Sequence, residues 1–288
     1  MFVKNNSLEE VLKYFKSELS ERFTSREIRQ ISRQLICKRM NWTETDLFTN
    51  SKYTFSESDL LFFRSKIKTL LSGEPFQYVI GECFFYNVIL KTDKRALIPR
   101  PETEELVHQI ISDFKNKKIK LLDIGTGSGC IPIALKKENP SWDVYAVDVD
   151  EDALKLAKEN AALNETSINF SKLDILDETS TQFQDNLNFD VIVSNPPYIL
   201  ESEASEMKSH VLDFEPHKAL FVKNDPLIFY KIILKFAKFN LSEDGFVYFE
   251  IHENYSNEVK NLILRNGFKN VEIISDLQGK DRIVKGKR

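Results

Sequence analysis

Phe189-Asp190-Val191-Ile192-Val193-Ser194-Asn195-Pro196-Pro197-Tyr198 is an apolar run that ends in a proline-stiffened polar turn. A short apolar run bounded by turn residues reads as a buried strand. In an open parallel sheet the ligand crevice lies just outside the carboxyl ends of the strands, so this turn is where chemistry is to be sought. Asn195 carries one carbonyl acceptor and two N–H donors, while Pro196 and Pro197 fix the backbone and offer no N–H. The turn is therefore rigid and rich in acceptors, with the flat face of Tyr198 beside it. It suits a group with two N–H donors and a π-face, such as an amide or an amino-substituted base. Taken alone, Asn-Pro-Pro-Tyr can also simply end a strand.

Working outward, apolar runs at 119–124, 144–149 and 168–171 precede this strand, and others follow at 246–251, 271–274 and 282–285. Helical patterns at 130–137, 151–163, 226–239 and 255–265 separate them. Such alternation predicts a doubly wound, mainly parallel α/β sheet. The first strand runs into Asp123-Ile124-Gly125-Thr126-Gly127-Ser128-Gly129. Glycines there let the backbone turn tightly, approach a cofactor and pack the next helix on the sheet. Their spacing is Gly-x-Gly-x-Gly, which differs from the dinucleotide pattern Gly-x-Gly-x-x-Gly. About 20 residues on, the second strand ends in Asp148, where a carboxylate can accept both hydroxyls of a ribose. Asp174 follows the third strand, placed to border an adenine. Either acid alone could equally cap a helix; in order at successive strand ends, they describe a pocket for an adenosine-bearing cofactor.

Ahead of the sheet, helix starts at Ser7-Leu8-Glu9-Glu10, Thr24-Ser25-Arg26-Glu27 and Ser56-Glu57-Ser58-Asp59 each precede apolar residues at helical spacing. Residues 1–74 therefore read as a small helical bundle. After Pro75 the pattern changes to short β-rich pieces at 76–80 and 84–92, with a turn at Tyr86-Asn87, which read as a hairpin linker. In Leu97-Ile98-Pro99-Arg100-Pro101-Glu102-Thr103-Glu104 two prolines force an extended path before a helix that starts near Glu102. Arg100 or Glu102 could face the site; the segment could equally be a stiff connector.

Composition narrows the classes. The chain of 288 residues is 42% hydrophobic and 29% charged, the balance of an ordinary globular protein. It has no apolar run of the roughly 18 residues a membrane span needs, and residues 1–6 contain no signal-peptide core, so a cytoplasmic location is expected. Cys37, Cys83 and Cys130 lie far apart with no Cys-x-x-Cys pair, and no metal site is expected. Residues 1–75 carry 13 Lys and Arg against 10 Asp and Glu, and the remainder 27 against 34. That is too mild a basic bias for a nucleic-acid-binding domain.

The order of Asp123, the glycine turn, Asp148, Asp174 and Asn195-Pro196-Pro197-Tyr198 resembles the Rossmann-like methyltransferases that use S-adenosylmethionine. More narrowly, the chain resembles the release factor glutamine methyltransferases, the PrmC/HemK family. The likeness extends through Glu74-Pro75-Phe76-Gln77-Tyr78-Val79-Ile80-Gly81, Ile98-Pro99-Arg100-Pro101-Glu102-Thr103-Glu104, Phe214-Glu215-Pro216 with Ala219-Leu220-Phe221, and Asp281-Arg282. The Ile-Pro-Arg-Pro-Glu-Thr-Glu run is its most specific part. The chain departs at Val222-Lys223-Asn224-Asp225-Pro226, where the family usually has a glycine-containing loop.

The resemblance implies a seven-stranded, mostly parallel class I methyltransferase sheet preceded by a small all-α domain and a β-hairpin linker. In that scheme residues 1–74 recognise the substrate, 75–96 link, and 97–288 form the methyltransferase domain. It implies methyl transfer to the glutamine of the Gly-Gly-Gln motif in peptide chain release factors, with S-adenosylhomocysteine as the other product. Asp123, Gly125, Thr126, Gly127, Ser128, Gly129, Asp148, Asp174, Ile175 and Asn195 would meet the cofactor. Asn195, Pro196, Pro197, Tyr198, Arg100 and Glu102 would meet the substrate, with Asn195, Pro196 and Tyr198 at the reacting amide. Release factors are the expected partners, without membrane or direct nucleic acid. Two other readings stand beside this one: a nucleic-acid adenine amino-group methyltransferase, and a catalytically silent adenosine-binding module.

Overall fold

The computed structural model describes residues 5–177, 183, 187–206 and 209–288; residues 1–4, read above for a leader, lie outside them. The chain divides into two compact units, Met1–Gly81 with Ser209–Phe214, and Glu82–Lys208 with Glu215–Arg288.

The smaller unit contains α1 (Leu8–Leu19), α2 (Ser25–Met40), α3 (Glu44–Thr49), α4 (Glu57–Leu71) and α5 (Phe76–Ile80). Reciprocal capping boxes start α2 at Thr24 and Glu27, and α4 at Ser56 and Asp59. At α1 only half of such a box forms: Ser7 accepts from the Glu10 N–H, but the Glu10 carboxylate pairs with Lys13 at 2.8 Å. Apolar faces converge on Phe15, Leu35, Phe63 and Ile67, all buried.

One element departs from expectation. Residues 76–80, read above as a strand, form the single-turn helix α5. Pro75 and Gly81 bracket a helix turn, proline at the entry and left-handed glycine at the exit. Gly81 takes φ +77° and donates to the Gln77 carbonyl at 2.8 Å. Burial of Val79 and Ile80 in the helical core decides for the helix. Also unforeseen was α3, although Thr43 and Asp46 cap it reciprocally.

The larger unit opens with a hairpin, β1 (Glu82–Phe85) and β2 (Val88–Lys91), whose turn at Tyr86 takes φ +52°. There follow α6 (Pro101–Asp113), β3 (Lys120–Ile124), α7 (Cys130–Glu138), β4 (Asp143–Asp148), α8 (Glu151–Leu163), β5 (Asn169–Lys172) and β6 (Phe189–Ser194). The rest comprises β7 (Ile199–Leu200), α9 (Ser209–Phe214, part of the helical unit), β8 (Phe221–Val222), α10 (Ile228–Asn240), β9 (Leu241–Glu250), α11 (Ser256–Arg265), β10 (Lys269–Ser275) and β11 (Asp281–Lys287). Seven strands form one sheet in the order β10-β11-β9-β6-β3-β4-β5, in which β11 alone runs antiparallel to its neighbours.

Both faces of this sheet are covered, which is why its strands read as continuous apolar runs instead of alternating ones. Leu121, Val191 and Val193 point into a core closed by α6 and α7, while Leu122, Ile192 and Phe249 point into one closed by α10 and α11. After β3 the chain adds β4 and β5 on one side, then returns with β6 to the other. That reversal is a topological switch point, where the carboxyl ends of adjacent strands leave a crevice.

Candidate active site

The crevice opens between β3 and β6. Asp123 stands opposite Val193 in the parallel register, so the glycine loop and the Asn195 turn leave from the same end of two adjacent strands. Ser194 locks the pair by donating its hydroxyl to the Ile124 carbonyl at 2.7 Å.

Hydrogen bonds from two directions hold the glycine loop. The Gly125 and Thr126 N–H groups both donate to the Val147 carbonyl, at 2.9 and 3.0 Å. Gly127 N–H donates to Asp148 Oδ2 at 2.8 Å, and the other Asp148 oxygen accepts from Asp150 N–H at 2.9 Å. A carboxylate has about four lone-pair directions, so Asp148 keeps acceptor capacity for a diol. Burial raises its pKa, against the pull of these backbone bonds.

The glycines divide the work. A Cβ at Gly125 would meet nothing within 4 Å, and one at Gly127 only the Ala96 Cβ at 3.9 Å. At Gly129 a Cβ would fall 2.9 Å from Ile133 Cδ1 and 3.1 Å from Ala157 Cβ, so this glycine lets α8 pack against the loop. The buried amide of Asn160 fastens α8 to the hairpin, accepting from Lys91 N–H at 2.7 Å and donating to the Ser128 carbonyl at 3.0 Å.

Asp123 is fully buried, and neither its oxygens nor the Thr126 hydroxyl makes a hydrogen bond among the described residues. Burial pushes its carboxyl up to about 7, and the Asp148 charge adds to the rise. An orphaned buried carboxyl is costly unless something completes it. A cationic, hydroxyl-bearing ligand would do so, and open glycine faces and a free diol acceptor beside it fit S-adenosylmethionine. Further along, Leu173 N–H donates to the Asp148 carbonyl at 3.0 Å, which sets Asp174 near the end of β4. Asp174 is exposed and accepts from Leu176 N–H at 2.9 Å, while Ile175 is buried. Ser128 is also buried.

On the facing side, Pro196 is buried and Asn195, Pro197 and Tyr198 are partly so. Among the described residues nothing donates to Asn195 Oδ1 or to the Pro196 carbonyl. The Asn195 Nδ2 donates to Thr103 Oγ1 at 3.4 Å, and Thr103 in turn donates to Glu250 Oε2 at 2.7 Å. Tyr198 packs 5.8 Å from the His252 ring, and burial, with the Glu250 charge second, pushes its phenol up to about 12. The charges of Arg100 and of Glu102, at the start of α6, act on the Tyr198 phenol in opposite senses, the first lowering and the second raising its pKa. Arg100 donates to Glu215 Oε1 at 2.8 Å, and the other oxygen of that buried carboxylate accepts from Ile98 N–H at 3.2 Å.

Thr103, Glu250, Asn160 and the role of Glu215 escaped sequence reasoning. A signal existed for Glu250, a charge inside the apolar run Val247-Tyr248-Phe249-Glu250-Ile251, because a buried charge is rare unless paired. The departing loop is explained as well: Asp225 accepts from Leu227 N–H at 3.0 Å and pairs with Lys231 at 2.6 Å, a turn that needs no glycine. Among the described residues no cluster of His, Cys, Asp or Glu could hold a metal ion, and no helix is long and apolar enough to cross a membrane.

Sheet order and crevice together define a class I S-adenosylmethionine-dependent methyltransferase. Solved structures of the class superpose on the chain: the hMettl16 catalytic domain, crystallised with a MAT2A 3′UTR hairpin, has a TM-score of 0.55 at 15% identity, covering 81% of this chain and 82% of that one. A methyltransferase from Pyrococcus furiosus has 0.50 at 18%, covering 69% and 88%. At such identities the likeness concerns the fold alone. Residues 10–81 match the PrmC N-terminal domain family and residues 103–214 the methyltransferase small domain family. Release factor glutamine methyltransferases of Flavobacterium psychrophilum and Bacteroides thetaiotaomicron are 42% and 35% identical, over 83% and 96% of this chain and 85% and 98% of their own. The chain belongs to the release factor glutamine methyltransferase family.

Proposed function

We infer that this protein transfers the methyl group of S-adenosylmethionine to the side-chain amide nitrogen of the glutamine in the Gly-Gly-Gln motif of peptide chain release factors. What supports this reading is one juxtaposition in a member of that family: the turn bearing Asn195 and Pro196 leaves β6 at the same end at which the glycine loop leaves the adjacent parallel strand β3. Bound S-adenosylmethionine supplies an electrophilic methyl group on a sulfonium.

An amide nitrogen is a poor nucleophile because its lone pair is delocalised into the carbonyl. Asn195 Oδ1 and the Pro196 carbonyl each accept one N–H of the substrate amide and so fix the direction in which the nitrogen presents itself. These acceptors also stabilise the positive charge that builds on the nitrogen, and the methylated amide returns to neutrality by giving up one of its N–H protons, which leaves to solvent with the products. Tyr198 covers the flat amide and excludes water. Positioning of this kind can supply on the order of 7–11 kcal/mol. Asp148 holds the ribose hydroxyls, Asp174 and Ile175 border the adenine, and Asp123, Gly125, Thr126, Gly127, Ser128 and Gly129 cradle the rest of the cofactor.

Arg100 and Glu102, carried on the segment that Glu215 anchors, flank the incoming glutamine. Residues 1–74 grip the release factor away from its glutamine, 75–96 join the parts, and the cytoplasm, where release factors act, is the location. The acidic balance of the larger part speaks against direct nucleic-acid contact. Mass spectrometry of a release factor incubated with the enzyme and S-adenosylmethionine should find one added methyl on the glutamine, lost when that glutamine is replaced. Methyl transfer to DNA or RNA with none to the release factor would overturn the reading.

A further inference from the structure

We propose that Glu250 and Thr103 are positioning residues for methyl transfer, which together fix the direction that the Asn195 amide faces. The inference rests on Asn195 being the acceptor of the substrate amide and adds what makes it one. An asparagine amide has two nearly isosteric ends, and only its hydrogen-bond partners decide which end points where. Here the partners impose an order. An ionised carboxylate can only accept, so Thr103, 2.7 Å from Glu250 Oε2, must spend its one O–H on it. Toward Asn195 the hydroxyl then shows lone pairs alone, and across 3.4 Å it can be met only by the N–H2 end. Nδ2 is turned inward and Oδ1 is left facing the crevice.

Three separate elements supply this relay: α6 gives Thr103, the end of β9 gives Glu250, and the turn after β6 gives Asn195. Thr103 and Glu250 are 2% and 3% exposed, so bulk water does not rewrite the polarity. Burying a carboxylate at the end of an apolar strand is expensive, and a glutamine or leucine would cost less. Neither of those could enforce the order, because a glutamine amide can itself donate to Thr103 and release its proton toward Asn195 Oδ1.

The groups around Glu250 bear on its charge from every side. Arg282 on β11, Thr103 and the Asn195 amide favour the ionised form, and Glu102 on α6 opposes it. Tyr198 in the turn, Tyr230 on α10 and Cys130 on α7 also feel its charge. Burial prevails and pushes the carboxyl up to about 7. Protonated, it would no longer be an acceptor only, and the relay would lose its direction.

The experiment measures kcat and KM of the full-length enzyme on a release factor, at saturating S-adenosylmethionine, from about pH 5.5 to 8.5. It compares the unaltered protein with Glu250→Gln, Thr103→Val, Thr103→Ser and Asn195→Ala, with cofactor affinity by calorimetry as the check on folding. Glu250→Gln and Thr103→Val should lower kcat on the order of 10²-fold with KM and cofactor affinity little changed. Thr103→Ser, which restores the hydroxyl, should recover most of that loss. In the unaltered enzyme kcat should rise with pH along an acid limb that is absent from Glu250→Gln. A dead Asn195→Ala beside a fully active Thr103→Val, or an acid limb that persists in Glu250→Gln, overturns the relay. Turnover surviving in Asn195→Ala overturns the reading of the site itself, a different result from the other two. Because Thr103→Val is isosteric, it carries the test even if Glu250→Gln does not fold.

Discussion

Asp148 Oδ2 accepts the Gly127 backbone N–H at 2.8 Å, so the carboxylate assigned to the ribose also braces the loop assigned to the rest of the cofactor. Replacing it therefore acts twice. Asp148→Ala removes the diol acceptor and leaves the Gly127 N–H without its partner, and hydrogen bonds to a charged group are worth about 1.5–3 kcal/mol each. The cofactor dissociation constant should rise by at least tenfold, which follows from about 1.4 kcal/mol per factor of ten. Isothermal calorimetry checks this, and unchanged binding would remove Asp148 from the pocket.

Gly127 and Gly129 should fail in different ways. Gly129→Ala drives a methyl group to 2.9 Å from Ile133 Cδ1 at φ +81°, so the loss should fall on stability, about 1–3 kcal/mol by denaturant unfolding. Gly127→Ala has room for the methyl and bears only the left-handed strain of φ +54°, about 1–2 kcal/mol. Its larger effect should be on cofactor affinity, because the strained backbone disturbs the Gly127 N–H bond to Asp148, the carboxylate assigned to the ribose. Equal loss of stability and equal cofactor affinity in the two variants would refute this division.

The sheet was legible because its strands are buried on both faces: runs such as Val191, Ile192 and Val193 leave no other reading once βα alternation is seen. The ends of those strands were legible for the same reason, since glycines and acids at successive carboxyl ends must converge. What escaped were contacts between residues distant in sequence. Thr103 and Glu250 are 147 positions apart, and Ile98 and Glu215 are 117 apart. Nothing in local spacing joins such pairs; only the strand order brings the end of β9 beside the start of α6. The helix at 76–80 was misread because a five-residue pattern fits a strand and a helix turn equally, and the core that decides between them lies elsewhere in the chain.

Asp123 carries a pH dependence whose sign is fixed. Its carboxyl is raised to about 7 in the folded protein, above its value in an unfolded chain. Folding therefore favours the neutral form, and the contribution to stability present below the unfolded value is lost as pH rises through about 7. Glu250, raised for the same reason, adds to that slope. A cofactor bearing a sulfonium favours the charged form instead. Affinity should increase with pH up to about 7, and binding below that pH should release a proton. Calorimetry in two buffers of different ionisation enthalpy measures the proton count, and Asp123→Asn should lower it. No release at pH 6 in the unaltered protein would mean that the carboxyl does not respond to the cofactor.

Glu215 holds both Ile98 N–H and the Arg100 guanidinium while its own side chain is only 1% exposed. Removing one member of a buried pair leaves the other uncompensated, typically at about 3–5 kcal/mol. Glu215→Ala should fall at the lower end of that range, because Arg100 is a third exposed and regains water. The segment before α6 would then lose its anchor, raising KM for the release factor while cofactor affinity stays. Chemical denaturation and steady-state kinetics test the two parts separately; a stable variant with normal KM would show that the pair positions nothing.

Asn195→Asp separates orientation from charge. The substitution keeps an acceptor toward the crevice but replaces the inward N–H2 with a second oxygen, facing a Thr103 hydroxyl whose proton is already given to Glu250. Two carboxylates must then share one proton, so either the introduced acid is held neutral or the relay is broken. In neither case is the substrate amide met by a correctly aimed neutral acceptor, and kcat should fall by about 10²–10³, the usual cost of one preorganised polar partner. Cofactor binding should stay the same or tighten, because an added negative charge near a sulfonium favours the bound ground state without helping the transition state. Single-turnover rates alongside equilibrium binding distinguish these effects. A variant that binds the cofactor more weakly and turns over normally once saturated would place Asn195 with the cofactor instead of with the reacting amide.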